Sequence, residues 1–190
     1  LKALALALET KDPYSSGSTE RVLELSDALG DAFSLPAEER DALRIAALLH
    51  DIGMASVGDA VTTSDKTLTT VERALLKLHP QIAADILAEA PALRRVVPIV
   101  YHHHEWYDGT GYVGGATGDG IPLGARILSV ADAYVAMTSD RPYRTAMTTR
   151  DALRELRDKA GTQFDPAVVD AMLDIMRDGS NRVPGPDRER

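Results

Sequence analysis

The sequence predicts an all-α domain, and three observations carry that prediction. Apolar residues recur at helical spacing in one segment after another, as at Val22, Leu25, Leu29 and Phe33. Those segments open on helix-start signals, among them Thr69-Thr70-Val71-Glu72, Thr148-Thr149-Arg150-Asp151 and Asp165-Pro166. No pair of alternating apolar and polar runs is joined by a hairpin turn, so strands do not organise the chain.

In chain order, Leu1, Leu4 and Leu8 with small alanines between them suit an incoming linker helix over 1–11. Such a helix would pack on an upstream domain or pair with its copy in a homodimer. After a break at Asp12 to Ser18 comes the helix of Val22 to Phe33, capped by Ser18 or a neighbour. Leu35-Pro36-Ala37-Glu38-Glu39 starts the next, with acids near the positive end of its dipole. It carries Leu43, Ile45, Leu48 and Leu49 inward and delivers His50-Asp51, with Gly53 ending it. Met54 to Lys66 reads as a polar loop.

The capping box at Thr69 leads a helix through Val71, Leu75 and Leu78, and Pro80 opens another with Ile82, Ile86 and Leu87 facing inward. A further helix runs from about Leu93 to His104, across Pro98. The glycine-rich stretch Asp108 to Gly120 is a surface loop, and Ile121 to Thr138 is a long apolar helix containing Asp132. Two more helices follow, one stopped by Gly161 and one through Val168, Met172 and Ile175. The tail, 179–190, is rich in Pro and charge and reads as disordered.

Composition narrows the function. At 190 residues, 44% apolar and 26% charged, the chain is long enough for one domain with a substantial core. No run approaches the roughly 20 apolar residues of a membrane span. A net charge of -8 argues against a broad nucleic-acid surface, which neutralises many phosphates with Lys and Arg. A small phosphorylated ligand remains compatible if a metal and a few arginines supply local charge. There is no cysteine, so any metal is held by His and carboxylate, which points to iron, manganese, magnesium or a nitrogen-and-oxygen zinc site. A cytoplasmic location is the default reading. Starting on Leu1, the chain reads as a domain excised from a longer protein.

The chemistry-bearing residues fall at helix ends. All five histidines follow apolar helical stretches: His50, His79 and the run His102-His103-His104. Alone, His50-Asp51 reads first as the polar end of an ordinary helix; its company changes that. Asp132 sits among Ile127-Leu128-Ser129-Val130-Ala131, and a carboxylate in such surroundings needs a cation or hydrogen-bond donors.

Several separated motifs then fall into one order. They include Asp12-Pro13-Tyr14, Leu48-Leu49-His50-Asp51-Ile52-Gly53, Leu78-His79-Pro80, His103-His104-Glu105, Asp108-Gly109-Thr110-Gly111-Tyr112, Ala131-Asp132, Ser139-Asp140-Arg141-Pro142-Tyr143-Arg144 and Phe164-Asp165-Pro166. In this order the chain resembles the HD-GYP branch of the HD-domain metal-dependent phosphohydrolases, over about 12–178. The resemblance implies an HD-domain helical bundle with a metal site in its core, holding iron or manganese and hydrolysing cyclic di-GMP. By motif match, Asp51 would bridge two metals. His79, His103 and His104 would complete one, and His50 with Asp132 would hold the other. Tyr112 and Arg141 would contact the ligand, while Arg126 and Arg144 would hold loops and acids. An upstream sensor or receiver domain and a bacterial cytoplasmic setting are implied as well.

Four positions depart from the family pattern. Ser18 stands where a ligand histidine is usual, Met54 where a substrate-binding lysine is usual, Val113 in place of the proline of Gly-Tyr-Pro, and Val135 in place of an acid. Tyr14 replaces an acid of three-metal members, so one or two ions are implied. Two functional readings follow: a metal-dependent phosphodiesterase, or a catalytically weakened module that binds metal or nucleotide and regulates a larger signalling protein.

Overall fold

The computed structural model describes residues 17–57, 69–140 and 145–178. The linker helix at 1–11, Tyr14, Arg141, Arg144 and the tail at 179–190 lie outside the described residues. Among the described residues there is no strand, and the all-α prediction is met.

The helices are α1 (Ser18–Ala32), α2 (Ala37–Leu49), α3 (Thr70–Leu76), α4 (His79–Ala88), α5 (Val97–His102), α6 (Leu123–Met137), α7 (Thr149–Asp158) and α8 (Pro166–Arg177). Helix α6 is the axis: it packs on α1, α2, α5, α7 and α8. Ala125, Ile127, Leu128, Val130 and Ala131 along it are all fully buried, so it is apolar nearly all round, as an interior helix must be. Leu25 and Leu29 of α1 and Leu43 and Leu49 of α2 meet it, each worth on the order of 1.5–3 kcal/mol on burial.

Start signals act largely as read. Thr69 forms a full capping box with Glu72, Thr148 accepts from the Asp151 amide, and Asp165 accepts from the Ala167 amide. Two details differ. Gly17, not Ser18, occupies the cap position of α1, and Ser18 is its first helical residue. The stretch Leu93 to His104 is not one helix: a short 3-10 turn at Pro91–Leu93 precedes α5, and Pro98 falls in the first turn of α5, where its missing N–H costs nothing.

One helical stripe proves uncovered, and one inward assignment is overturned. Val71, Leu75 and Leu78 are 70%, 47% and 50% exposed, and α3 buries no residue. Ile86 is likewise exposed, while Ala83, Ala84 and Leu87 form the buried face of α4. Helical spacing marks a stripe; only the position of neighbouring elements decides whether anything covers it.

Gly53 has a different role from the one its sequence position suggests. Helix α2 ends at Leu49 with His50 still helical, and the chain tightens into a 3-10 turn over Ile52–Ser56. Gly53 lies inside that turn, against the start of α4. A Cβ there would sit 2.1 Å from the His79 carbonyl oxygen and 2.9 Å from the Ala83 nitrogen. The residue is glycine because two backbones meet, which brings Asp51 up to His79.

Candidate metal centre

The site is assembled from three helix ends. His50 closes α2, His79 opens α4 and His103 follows α5 directly. In each, the ring Nδ1 lies close to the carbonyl oxygen three residues back: Ala47 at 3.0 Å, Leu76 at 2.7 Å and Val100 at 2.6 Å. A carbonyl only accepts, so each Nδ1 carries a proton and Nε2 is the nitrogen turned toward the site. This anchoring is what a metal-ligating imidazole requires of its other nitrogen.

The free nitrogens converge. One ligand atom from each of His79, His103 and His104 lies within 4.8 Å of the others. The His103 and His104 rings are 4.0 Å apart, and His50 and His79 each approach His103 edge-on at 5.3 and 5.4 Å. Asp51 faces both sides: its Oδ2 is 3.3 Å from His50 Nε2 and its Oδ1 3.4 Å from His79 Nε2. Asp132 Oδ1 is 3.9 Å from His50 Nε2. His103, His50 and His79 are buried, whereas the Asp51 side chain is 56% exposed and stands at the mouth.

Nε2 of both His79 and His103 is buried without a hydrogen-bond partner; the 3.4 Å approach of Asp51 to His79 is not aligned as a bond. Buried polar nitrogens are ordinarily satisfied, so two aimed at one point fit a cation. The donor set, neutral imidazoles and a carboxylate without sulfur, suits a divalent transition metal.

Electrostatics divide the site. Burial, reinforced by the neighbouring rings, pushes His103 well below its ordinary range and His104 down to about 3, so both present lone pairs. On His50 burial acts downward too, but Asp51 and Asp132 outweigh it and raise it to about 9. Enclosure works to raise the Asp51 carboxyl, yet the facing His50, His79 and His103 hold it well below the usual carboxylate range. Without a cation, His50 is the positive charge between two acids.

Tyr112 reaches this mouth from the glycine loop, its ring 5.4 Å from that of His104. Burial, with Asp132 and Asp51 adding, raises its hydroxyl above the ordinary tyrosine value, so it remains a donor. Arg126 is structural as read, donating to the Ile121 carbonyl, Asp119 and Asp165. His102 is the one histidine of its run that turns away, lying edge-on to Tyr101 at 4.8 Å. Successive helical residues point about 100° apart, so three in a row cannot share one target.

Of the departures, Met54 follows Asp51 in the 3-10 turn, half-buried, and Val135 is buried in α6; Val113 is half-buried in the loop. Two residues at the site went without a role in the sequence reading. Glu105 is buried just after the histidine pair, and the Lys77 ammonium lies 5.1 Å from the centre of the Tyr112 ring. Glu105 had a signal, an acid beside two histidines; Lys77 reads only as a surface lysine.

Residues 2–168 match the family described as HD domain. The chain belongs to the HD domain family, in its HD-GYP branch. It is 38% identical over 91% of its length to a cyclic di-GMP phosphodiesterase response regulator, RpfG, of Xanthomonas campestris, covering 46% of that protein. It is 32% identical over 96% of its length to a 3'3'-cGAMP-specific phosphodiesterase of Vibrio cholerae, covering 40% of it. A crystal structure of a cyclic GMP-AMP specific phosphodiesterase of V. cholerae superposes with a TM-score of 0.73 at 19% identity, over 93% of this chain and 47% of that one. The last comparison shows the shared HD-domain helical fold. The chain thus spans less than half the length of these curated relatives.

Proposed function

We propose that this HD domain is a metal-dependent phosphodiesterase that opens a cyclic dinucleotide, cyclic di-GMP first among them, as a module of a longer bacterial signalling protein. The observation that carries the reading is the convergence of His79, His103 and His104, with Asp51 between them and His50. The names of the relatives support the substrate class, and the response-regulator relative supports an upstream receiver or sensor.

In this reading His79, His103, His104 and Asp51 would hold one divalent ion, iron or manganese, and His50, Asp132 and the same Asp51 would hold a second. Such ions supply Lewis acidity, which eases deprotonation of water and offsets charge on phosphoryl oxygens. The chain's own contribution is arrangement. The Ala47, Leu76 and Val100 carbonyls fix three imidazoles in the ligating tautomer. Asp51 stays ionised at the mouth, where a phosphate ester arrives, and Tyr112 presents a protonated hydroxyl beside it. Hydrolysis adds the water oxygen to phosphorus and breaks one P–O ester bond, leaving a phosphomonoester and a hydroxyl. Arg141 is assigned to the ligand's phosphate or guanine by its motif alone.

A second reading is favoured by one observation: the tight nitrogen cluster contains His79, His103 and His104 but neither His50 nor Asp132, and Ser18 stands where that weaker side would gain a histidine. A protein of this kind would bind one metal and regulate rather than hydrolyse. Metal analysis of the purified protein beside turnover of cyclic di-GMP with iron or manganese separates the two. Two metals per chain with linear product supports the phosphodiesterase; a single metal with no product at high protein concentration refutes it.

A further inference from the structure

Glu105 is 3% exposed, and its carboxylate is spent entirely on backbone. Oε2 accepts from the amides of Gly114 and Gly115, both at 2.7 Å, and Oε1 accepts from the Trp106 amide at 3.2 Å. The same side chain presses on Gly111, where a Cβ would lie 2.2 Å from Oε1 and 2.5 Å from the Trp106 nitrogen. Glu105 therefore touches the glycine loop on both sides of Tyr112, one residue before it and two and three residues after. Its own amide donates to the His102 carbonyl at 2.8 Å, which ties it to the turn carrying His103 and His104.

The loop needs such a tie. Val113 follows Tyr112 where a proline would have fixed the backbone, and Gly111, Gly114 and Gly115 leave it many conformations. A buried carboxylate accepting several amide hydrogens is a strong, directional clamp. We propose that Glu105 is the positioning residue that locks the 111–115 loop to the histidine turn, so that Tyr112 is held over His104 at the mouth where the cyclic dinucleotide is bound. The clamp itself stands on geometry; its effect on ligand binding rests on the phosphodiesterase reading.

The test compares Glu105→Gln and Glu105→Ala in the full protein. Glutamine keeps an oxygen for Gly114 and Gly115, whereas alanine keeps none. Both variants are expected to retain the metal content of the parent. Alanine should raise KM for cyclic di-GMP by about 10-fold with kcat within about 3-fold, as one decade corresponds to about 1.4 kcal/mol, within what lost charge-assisted bonds supply. Glutamine should shift KM by less than about 3-fold. In a Tyr112→Ala background, Glu105→Ala should add less than about 2-fold, because both act through one side chain. Hydrogen exchange at Gly114 and Gly115 should accelerate in Glu105→Ala with no ligand present. Unchanged exchange overturns the clamp, and fully additive effects with Tyr112→Ala overturn its action through that ring. A metal-loaded parent that neither binds nor turns over a cyclic dinucleotide overturns the phosphodiesterase reading and the binding role together, while the exchange arm still decides the clamp.

Discussion

Replacing Gly53 by alanine tests whether the site depends on the contact of two backbones. The added methyl would lie 2.1 Å from the His79 carbonyl oxygen, and ordinary contact begins at 3.4 Å. The 3-10 turn and α4 must therefore part by about 1.3 Å, since the obstructing atoms are backbone and cannot rotate aside. Asp51 rides on one of these elements and His79 on the other, with 3.4 Å between their facing atoms. Metal–ligand distances tolerate only about 0.2 Å, so a shift several times larger breaks shared ligation. Overpacking of this kind costs about 1–3 kcal/mol, a fall in Tm of about 2–12 °C for a domain of this size. Thermal unfolding and metal analysis of Gly53→Ala should show both losses. Gly120→Ala is the control, because nothing lies within 4 Å of a Cβ there. A Gly53→Ala protein with parental Tm and full metal content would refute the reasoning.

Further outcomes are expected at the acids and at Met54. Asp51→Ala should lose bound metal, measured by elemental analysis; retained full occupancy would rule out the bridging role. Met54→Lys restores a cation beside the mouth of an acidic protein and should raise kcat/KM for cyclic di-GMP by about 5-fold, about 1 kcal/mol of phosphate attraction in a solvent-accessible site; an unchanged or lower value would argue that Met54 faces away from the ligand. Asp27 is held below its ordinary carboxyl value of 3.8 by the hydrogen bond from Arg44, then by Arg40. A depressed folded value means the ion pairs stabilise above pH about 4 and that this stability drains away as pH falls further through the folded value. Denaturant unfolding from pH 6 to pH 2 should show this acid loss, and Asp27→Ala should shrink it; identical acid limbs would exclude the pair as a contributor.

Much of the fold was legible because helices announce themselves locally. The capping box at Thr69 and the caps at Thr148 and Asp165 depend on residues two or three apart; the box formed in full at Thr69, while Thr148 caps its helix from one side only. Covering an apolar stripe is not local. Val71, Leu75 and Ile86 carry helical spacing yet face outward, since no described element packs over them. The identity of the cluster was likewise legible, for His50, Asp51, His79, His103, His104 and Asp132 all gather at one place.

What the sequence determined by itself was the residue inventory: which helices form, which nitrogen and oxygen donors sit at their ends, and that no thiolate competes for a metal. Only the tertiary structure decided how closely the donors approach one another and what holds them there. It turns His102 away from its two neighbours, sets the compact cluster of three imidazoles apart from His50 and Asp132, and gives Gly53 and Glu105 their roles. The physical reason is distance. Caps and spacing act over one or two turns, whereas a 2.1 Å backbone approach or a carboxylate reaching nine residues along exists only after helices dock.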